Sequence, residues 1–504
     1  TFSRIHGDLE RDYNNFNIDV SYYSQGPGNF RDVNQNRRVD VSQEPRVGDF
    51  NVRTFMSLMQ MDGYNPLTVP TPMFHITTQD GINRVVSKVA YYTGAVNATA
   101  PARLEELLSK PFRVGQLFDD MKARNIFLPP KMEKQAFLNI VVDEAEQFPV
   151  ALYAQNGFWA DHWTYDQDLL DNFLSVYPDK EEWILFDSDP LPSYVSPSVV
   201  LPRAQRYSVV PVGDDKVVRQ YKSVADGTSL PDKRMKLLNT IWSQPNYVGD
   251  EQGGAAWHPD ENGNTVLLPL VSKLSMLGIL KFATLDPLGM GVEMEGGKPG
   301  WNDAMNGLPG LIGSGTPESY EALRLITYMS KTLRKMDGKH VPFTREFSEM
   351  LKAIDDALDK YLAKPSLDKD ELMASETVPA ADFKLWDAVN EAKEVYRGSI
   401  VGAMSGDKKT WTPEDVADVM DKMITRFKEG QERILWLSDT GIAGTYFYFE
   451  VDEYHEVPVE KQAPIPSVAP VNVIVTRFKM PQVLPLFLEL LRAKLYDEFF
   501  TEIK

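Results

Sequence analysis

The chain has 504 residues, 43% of them hydrophobic and 25% charged, with a formal net charge of -19 and no cysteine. This composition is typical of a folded globular protein and excludes general disorder, and the absence of cysteine excludes disulfides and thiolate metal sites. The negative charge disfavours a nucleic-acid partner, because such partners bind through clustered lysine and arginine. No apolar run reaches the roughly 20 residues that span a bilayer, so we expect a cytoplasmic protein without a membrane partner.

Residues 1–80 predict irregular loops with one or two helices. After residue 80, helical patterns dominate the chain. Apolar residues at three- and four-residue spacing predict further helices at 101–123, 134–147, 166–177, 232–243, 267–283, 317–336, 343–363, 380–397, 413–429 and 481–500. Proline-rich residues 186–213 and the alternating residues 444–476 predict extended segments or short strands. An array of helix pairs with functional loops at one end is therefore the leading architecture, and an irregular helical domain is the alternative.

The first polar cluster lies in residues 21–41, SYYSQGPGNFRDVNQNRRVDV. Arg31 and Asp32 stand there among further arginines, asparagines, glutamines and aspartates, behind a glycine turn. So many planar donors and acceptors suit a polyhydroxyl ligand, because every buried polar group must find a partner. The alternative is a solvated loop that contains an Arg–Asp ion pair.

The second cluster lies in residues 156–170, NGFWADHWTYDQDLL, at the expected start of a helix. It combines Trp159 and other aromatic residues with Asp161 and His162. Aromatic rings interleaved with polar groups fit a carbohydrate cleft, since sugar rings stack on aromatic faces. A helix that simply packs its aromatic residues inward explains the stretch equally well.

The third cluster is residues 295–315, EGGKPGWNDAMNGLPGLIGSG, which hold seven glycines and two prolines. Glycine lets backbone approach a ligand closely, and Trp301 offers a flat apolar face for a sugar ring. The amides of Asn302 and Asn306 are suited to bonding sugar hydroxyls. The alternative is a tight loop in which the tryptophan fills the core.

Asp303 is the only carboxylate among residues 296–315 and is the expected general acid. A carboxylic acid that protonates a glycosidic oxygen must keep its proton near neutral pH, which requires burial or a neighbouring negative charge. Glu293 and Glu295 are the expected source of that charge. In the alternative interpretation, Asp303 only caps the following helix.

Other chemistries find no support in the motifs of this chain. We find no Gly-x-Ser-x-Gly nucleophile elbow, no phosphate loop ending in Gly-Lys-Ser/Thr and no dinucleotide fingerprint. The six histidines are scattered, and none forms a His-Glu-x-x-His pair. We therefore expect neither a metal nor a cofactor.

The combination of NFRD at residues 29–32 with GWNDAMN at residues 300–306 resembles the inverting β-glucan phosphorylases. This broad group includes cellobiose, laminaribiose and β-1,3-glucan phosphorylases, and residues 25–38 and 156–170 look more like the large β-1,3-glucan phosphorylases than the cellobiose type. The resemblance covers roughly residues 15–340. It implies a mainly α fold, in which residues 1–504 form an (α/α)6 catalytic barrel, complete or partial, with long loops and a few short strands. The N-terminal β-sandwich of the family is not expected in this chain.

The resemblance implies a glycosyltransferase-type phosphorolysis of β-linked gluco-oligosaccharides, foremost β-1,3-glucan, to α-glucose 1-phosphate. Arg31 and Asp32 would hold hydroxyls of the donor sugar, and Trp301 would support its ring. Asp303 would protonate the departing oxygen while inorganic phosphate, the co-substrate, attacks the anomeric carbon. The implied partners are the glucan and phosphate, and a homodimer is compatible with them.

Two departures from the family pattern limit the resemblance. Gly26 stands where cellobiose-type members carry an arginine, and no match to the family's phosphate-binding histidine and Ser/Thr-Gly loops follows Asp303. An inverting hydrolase therefore stays open, with Asp32, Asp161 or Glu293 as a base on the opposite face of the sugar, about 6.5–9.5 Å from the acid. A noncatalytic carbohydrate-binding protein is the third alternative.

Overall fold

The computed structural model describes residues 28–70, 72–93, 100–129, 132–153, 157–220, 223–250, 253–298, 311–438, 443–458 and 471–483. About half of the chain is helical and the strands are short, which confirms the predicted mainly α class. The (α/α)6 barrel stays a prediction. Within the described ranges, no helix combines the length and the apolar character needed to cross a membrane.

The helices of the described residues are α1 (Phe30–Arg37), α2 (Asp40–Gln43), α3 (Phe50–Leu58), α4 (Gln79–Thr93), α5 (Ala100–Leu108), α6 (Val114–Ala123), α7 (Lys134–Val142), α8 (Tyr165–Val176), α9 (Arg203–Arg206), α10 (Asp232–Trp242), α11 (Leu270–Phe282), α12 (Thr316–Leu333), α13 (Arg345–Leu362), α14 (Lys369–Met373), α15 (Ala380–Ser399) and α16 (Pro413–Trp436).

The strands are β1 (Gly28–Asn29), β2 (Thr68–Val69), β3 (Met73–His75), β4 (Glu146–Phe148), β5 (Ala151–Leu152), β6 (Phe158–Trp159), β7 (Ser198–Val200), β8 (Tyr207–Val212), β9 (Asp215–Gln220), β10 (Val224–Asp226), β11 (Gly253–Gly254), β12 (Val292–Glu293), β13 (Gly297–Lys298), β14 (Ile312–Gly315), β15 (Val341–Thr344), β16 (Lys408–Trp411), β17 (Tyr446–Phe449), β18 (Val451–Pro458), β19 (Val471–Phe478) and β20 (Gln482–Val483).

Helix α11 lies at the centre of the largest core, because all thirteen of its residues are buried. It packs against α12, α12 packs against α16, and α13 packs against both α15 and α16. Helices α13 and α15 are antiparallel: Phe347 contacts Tyr396 near one end, and Tyr361 donates a hydrogen bond to Asp382 near the other. Helices α4 to α7 enclose a separate apolar cluster between Phe74 and Val141.

Two strand pairings hold the ends of residues 299–310, which lie outside the described residues. Before the gap, β13 pairs in parallel with β6, so that Gly297 is opposite Phe158 and Lys298 is opposite Trp159. After the gap, β14 pairs with β12 in a four-stranded antiparallel sheet ordered β12-β14-β17-β20. The chain therefore reaches and leaves the Trp301–Asp303 motif at positions fixed by backbone pairing.

The turn between α11 and β12 is held by a buried carboxylate. Asp286 accepts backbone N–H groups of Leu288, Met290 and Gly291, and the hydroxyl of Ser314 donates to it at 2.7 Å. Several hydrogen bonds to one carboxylate stabilise its buried charge. The turn thereby joins the central helix to the sheet that flanks residues 299–310.

Most of the predicted helices are present, with a few differences. Predicted helix 101–123 is two helices, α5 and α6, because Pro111 cannot continue a helix and Phe112 pairs through its backbone with Phe74. Helix α4 was not predicted, and its internal Gly81 weakens the helical pattern there. The extended character of residues 444–476 is confirmed by β17, β18 and β19, and that of residues 186–213 by β7 and β8. The start of the predicted helix 481–500 is wrong, because Gln482–Val483 form β20 and pair with β17, and the rest of it lies outside the described residues.

We predict that Gly430→Ala in α16 destabilises the protein by about 1–3 kcal/mol, because a methyl group there would overlap the backbone of Gly289. Equilibrium urea unfolding of the purified protein measures the change. Gly398→Ala in α15 is the matched control, since a methyl group there meets no atom within 4 Å. That variant should gain up to about 1 kcal/mol of stability, because alanine favours a helix over glycine. Equal effects of the two substitutions would contradict the proposed contact.

Candidate functional site

Arg31 and Asp32 lie in the first turn of α1 and are buried there. Strand β1 pairs with β2 directly before the helix, and the Asn29 side chain caps the helix by accepting the Arg31 backbone N–H at 3.2 Å. A capping asparagine satisfies an amide that would otherwise lack a partner at a helix start. The local sequence therefore fixes the direction in which the two side chains leave the helix.

Asp161 and His162 lie in the turn directly before α8, and this turn brings them to Arg31 and Asp32, although the sequence predicted the two groups only separately. Helix α1 packs against α8, and the side-chain amide of Asn34 donates to Asp166 Oδ1 at 2.8 Å across 132 residues of chain. Arg31 Nε donates to Asp32 Oδ1 at 3.1 Å, and Arg31 Nη1 lies 3.6 Å from Asp161 Oδ2. One buried guanidinium therefore links the two polar clusters.

The electrostatics of this trio depend on burial. Burial alone would lower the pKa of Arg31, but the charges of Asp161 and Asp32 raise it. Burial raises the pKa of Asp161 to about 6, against the opposing effect of the Arg31 charge. Asp161 Oδ1 has no hydrogen-bond partner among the described residues. This oxygen is suited to a sugar hydroxyl or a water molecule as its ligand.

An aromatic stack borders the same site. The His162 ring lies between Trp159, at a centroid distance of 5.6 Å, and Phe30, at 6.5 Å, with nearly parallel planes. His162 is buried, whereas Trp159 is half-buried. Sequence analysis predicted Trp159, Asp161 and His162 as substrate-binding residues, and the structure brings all three together with Arg31 and Asp32.

Two further buried carboxyls, which the sequence analysis missed, lie near this site. Burial, followed by the negative charge of Asp161, raises the pKa of Glu318, in the first turn of α12, to about 8. Burial likewise raises the pKa of Asp166 to about 8. Glu318 Oε2 has no hydrogen-bond partner among the described residues. A glutamate near a helix start is an ordinary capping signal, so the sequence offered no reason to single it out.

Lys281 of α11 is a third missed residue, and it is buried with 2% exposure. Its Nζ lies 4.3 Å from the centroid of the Tyr64 ring and 5.5 Å from that of Trp163. Burial, followed by the nearby charge of Arg397, lowers the pKa of Lys281 to about 7. The signal was present in LVSKLSMLGILKF, where Lys273 and Lys281 are the only charges in an otherwise apolar helix.

Glu295 lies on the other side of Tyr64 and is surrounded by cations. Arg206, Lys393 and Arg397 contact its carboxylate at 2.9, 3.1 and 2.5 Å, and the Tyr64 hydroxyl donates to it at 3.1 Å. Burial would raise the pKa of Glu295, but these cations hold it well below its usual range. Its charge is therefore compensated, which weakens its expected role as a negative neighbour of Asp303.

Glu293, the other expected neighbour of Asp303, lies in β12 and is buried. Its carboxylate accepts the indole N–H of Trp386 at 2.6 Å. Burial raises the pKa of Glu293, while the nearby charges of Lys393 and Arg206 oppose the increase. A hydrogen bond from a core tryptophan indicates a packing role for this carboxyl.

A close backbone contact between residues 157–158 and Gly296 connects the Trp159–His162 segment to the chain that leads into residues 299–310. The amide of Phe158 donates to the Gly296 carbonyl at 2.7 Å, and Gly157 has a φ of +98°. A Cβ at Gly157 would lie 2.7 Å from the same carbonyl oxygen, so this position requires glycine. The chain thereby arrives at Lys298 beside Trp159. Trp301, Asn302, Asp303 and Asn306 lie outside the described residues, as does Gly26.

Neither the protein-family models nor the curated proteins compared with this chain give a significant match. The functional argument therefore rests on the residues themselves. In the part of the chain that the structure describes, no group of three or more acidic or histidine side chains is arranged to hold a metal ion.

We predict that Asp161→Asn changes how stability depends on pH. Asp161 has a pKa of about 6 in the folded state, against an ordinary value of 3.8. Between these two pH values the folded state therefore keeps a proton on Asp161 that the unfolded state has released. Its contribution to stability is greatest below about pH 4 and is lost as the pH rises through 6. Urea unfolding measures the free energy of unfolding of both proteins at pH 4 and pH 7. From pH 4 to pH 7, the free energy of unfolding of the variant should rise relative to that of the native protein by up to roughly 3 kcal/mol.

The control for this experiment is Asp179→Asn, which removes one exposed carboxyl from the same part of the chain. It tests whether a change in net charge alone alters the pH dependence. If Asp161→Asn and the native protein lose stability in parallel between pH 4 and pH 7, the burial argument for Asp161 is wrong.

Proposed function

We propose that this chain is an inverting glycoside phosphorylase. It would cleave β-linked gluco-oligosaccharides, with β-1,3-glucan as the first candidate, and release α-glucose 1-phosphate. Inorganic phosphate would be the co-substrate. The proposal begins from the paired NFRD and GWNDAMN motifs and their resemblance to the β-glucan phosphorylases.

The observation that carries the proposal is the convergence of two polar stretches that are about 130 residues apart. Arg31 contacts both Asp32 and Asp161, and the His162–Trp159 stack lies beside them. A planar donor, carboxylates and an aromatic face are the groups that a sugar ring requires, because its hydroxyls and its apolar faces need different partners. A purely structural ion pair would not explain the unpartnered Asp161 oxygen.

The position of Lys298 gives the proposal further support. Lys298 pairs with Trp159, and Asp303 follows it by five residues. Five residues span at most about 18 Å when fully extended. The chain length therefore permits Asp303 to reach a sugar held at Arg31 and Asp161, where it would protonate the departing oxygen.

The buried cations favour phosphate over water as the nucleophile. Lys281 has no carboxylate within 4 Å among the described residues, although it lies within cation–π distance of Tyr64 and Trp163. A negatively charged nucleophile would be stabilised by the protonated form of Lys281, whereas neutral water would gain much less from it. In an inverting phosphorylase the protein supplies only the acid, because phosphate itself attacks the sugar.

An inverting hydrolase is the second candidate, because one specific observation favours it. Asp161 has a pKa of about 6, so it is largely ionised at neutral pH, and one of its oxygens has no partner among the described residues. Such a carboxylate has the properties of a base that activates water. Asp32 is a weaker candidate for this role, since Arg31 Nε already binds it.

We also propose that α11, α12, α13, α15 and α16 belong to an (α/α)6 barrel. The antiparallel α13–α15 pair and the packing of α12 against α16 support this arrangement, because such a barrel is built from successive helix pairs. The central position of α11, which is buried on all sides, fits a helix of the inner ring.

We predict that the protein releases sugar from laminari-oligosaccharides only when inorganic phosphate is present, and that α-glucose 1-phosphate is the product. Parallel incubations with and without phosphate, followed by chromatography of the products, measure this directly. Equal release in both incubations would indicate the hydrolase. Binding of the oligosaccharide without release in either would indicate a carbohydrate-binding protein.

We predict that Asp303→Asn lowers kcat by a factor of about 10²–10⁴, because the amide cannot donate the proton to the leaving oxygen. KM for the oligosaccharide should change little, since the amide has nearly the same shape. Steady-state kinetics with saturating phosphate measure both parameters. Asp337→Asn is the control, because Asp337 is exposed and outside both polar clusters. A kcat for Asp303→Asn close to that of the control would rule out this residue as the acid.

A further inference from the structure

A separate cavity of about 200 Å³ lies between the start of α10, residues 199–205 and the end of α15. Its polar lining consists of Asp62, Gln205, Arg234, Glu394 and Arg397, and the remaining lining is mainly apolar side chains and backbone. No residue of the predicted sugar site lines it. The cavity is therefore a second place where a ligand could be held.

Arg234 is the unusual member of this lining because it is a buried cation without a direct ion pair among the described residues, and the charge of Asp62 acts on it only from a distance. It is only 5% exposed, and among the described residues no carboxylate lies within 4 Å of its guanidinium. Its Nη2 donates to the Ile400 carbonyl at 3.3 Å, but its Nε has no hydrogen-bond partner there. A buried charge without a partner is costly, and burial accordingly lowers the pKa of Arg234 to about 10.

The charged side chains of the lining are Asp62, Arg234, Glu394 and Arg397. Glu394 is already engaged, because it accepts the Arg203 backbone N–H at 2.6 Å and lies 3.3 Å from Arg203 Nε. Arg397 contacts the carboxylate of Glu295. Among the described residues, Arg234 is therefore the cation of this lining that has no carboxylate in direct contact.

The start of α10 adds to this positive character. Pro231 precedes the helix and lines the cavity, and no side chain caps this helix. The dipole at the start of a helix favours an anion, although Asp232 already places one negative charge in this first turn. This feature and the unpaired Arg234 are independent observations that indicate the same class of ligand.

We propose that the cavity between α10 and α15 is a binding site for a small oxyanion, of the class that includes phosphate, sulfate and short carboxylates. The anion lies between Arg234 and Arg397 and supplies the hydrogen-bond acceptor that Arg234 Nε lacks among the described residues. Asp62 disfavours large or highly charged anions, because it places a negative charge on the same wall. The site does not depend on the proposed phosphorylase activity, and its occupancy stabilises the packing of α10 against the end of α15.

The test measures thermal unfolding of the full chain in chloride buffer at fixed ionic strength, with millimolar phosphate, sulfate or malonate replacing part of the chloride. Because a ligand that binds only the folded state raises its stability, we expect a saturable rise of a few degrees with at least one of the three. If the site fits a tetrahedral anion, phosphate and sulfate raise the unfolding temperature. If it fits a carboxylate ligand, malonate raises it. An identical curve in all four salts overturns the proposal.

Gly398 provides matched variants that leave every buried side chain in place. It lines the cavity, and a side chain added there meets no atom within 4 Å at its first carbon. Gly398→Asp places a carboxylate at the cavity and should lower the affinity for the added anion at least tenfold. Gly398→Asn has the same shape without the charge and should keep the response. Equal responses of the two variants would overturn the site.

Arg234→Gln provides a second test if its folding is confirmed by circular dichroism. It should abolish the anion-dependent rise, whereas Arg219→Gln, in β9 and outside the cavity lining, should retain it. None of these measurements contains a sugar. If the phosphorolysis assay is negative, the anion-binding measurements are interpreted in the same way. If no anion binds the cavity, the proposal for the sugar site is unchanged.

Discussion

The structure around the candidate site depends on one interaction, in which the carboxylate of Glu295 contacts three cations. Arg206 comes from α9, Lys393 and Arg397 come from α15, and the Tyr64 hydroxyl comes from the loop after α3. Four separate parts of the chain therefore meet at one side chain that lies two residues before β13. Removing one member of such a buried cluster costs several kcal/mol, because the remaining charges lose their partners. The cluster thereby holds the strand that leads into residues 299–310.

Tyr64 and Lys281 connect this cluster to the proposed sugar site. Tyr64 stacks on Phe158 at 4.9 Å, and Lys281 lies over the rings of both Tyr64 and Trp163. Lys281 interacts electrostatically with Glu318 and Asp166, whose pKa values are raised, and with the cations Arg397 and Lys393. Several of these groups therefore change protonation near neutral pH, where proton transfer to and from a substrate is most effective.

The sequence predicted the elements of the fold better than their contacts. Long helices such as α12, α13 and α16 are evident from their apolar spacing, because burial of one face determines that spacing. The residues of the candidate site were also visible as polar and aromatic clusters. The contact of Arg31 with Asp161 was not visible, since a link across 130 residues depends on the packing of α1 against α8.

Buried charges were the least predictable feature. Arg234 looks like an ordinary member of an amphipathic helix, and only the structure shows that it is buried with no carboxylate of the described residues in direct contact. Lys281 stands out as a charge in an apolar helix, but only the structure shows that its Nζ lies over the rings of Tyr64 and Trp163. A sequence records which residues are charged but not how many of them share one enclosed volume. The cavity that Arg234 lines therefore emerges only when α10, the end of α15 and residues 199–205 are considered together.

The parallel pairing of β6 with β13 has a consequence for how this chain can vary. The pairing is only two residues long, yet Gly157 and Gly296 meet there with no room for a side chain on Gly157. A one-residue insertion or deletion between α11 and β13 would shift the register and turn alternate side chains to the opposite face. Related chains can therefore be expected to keep the length of this connection constant, while they tolerate length changes in loops such as the one between β8 and β9.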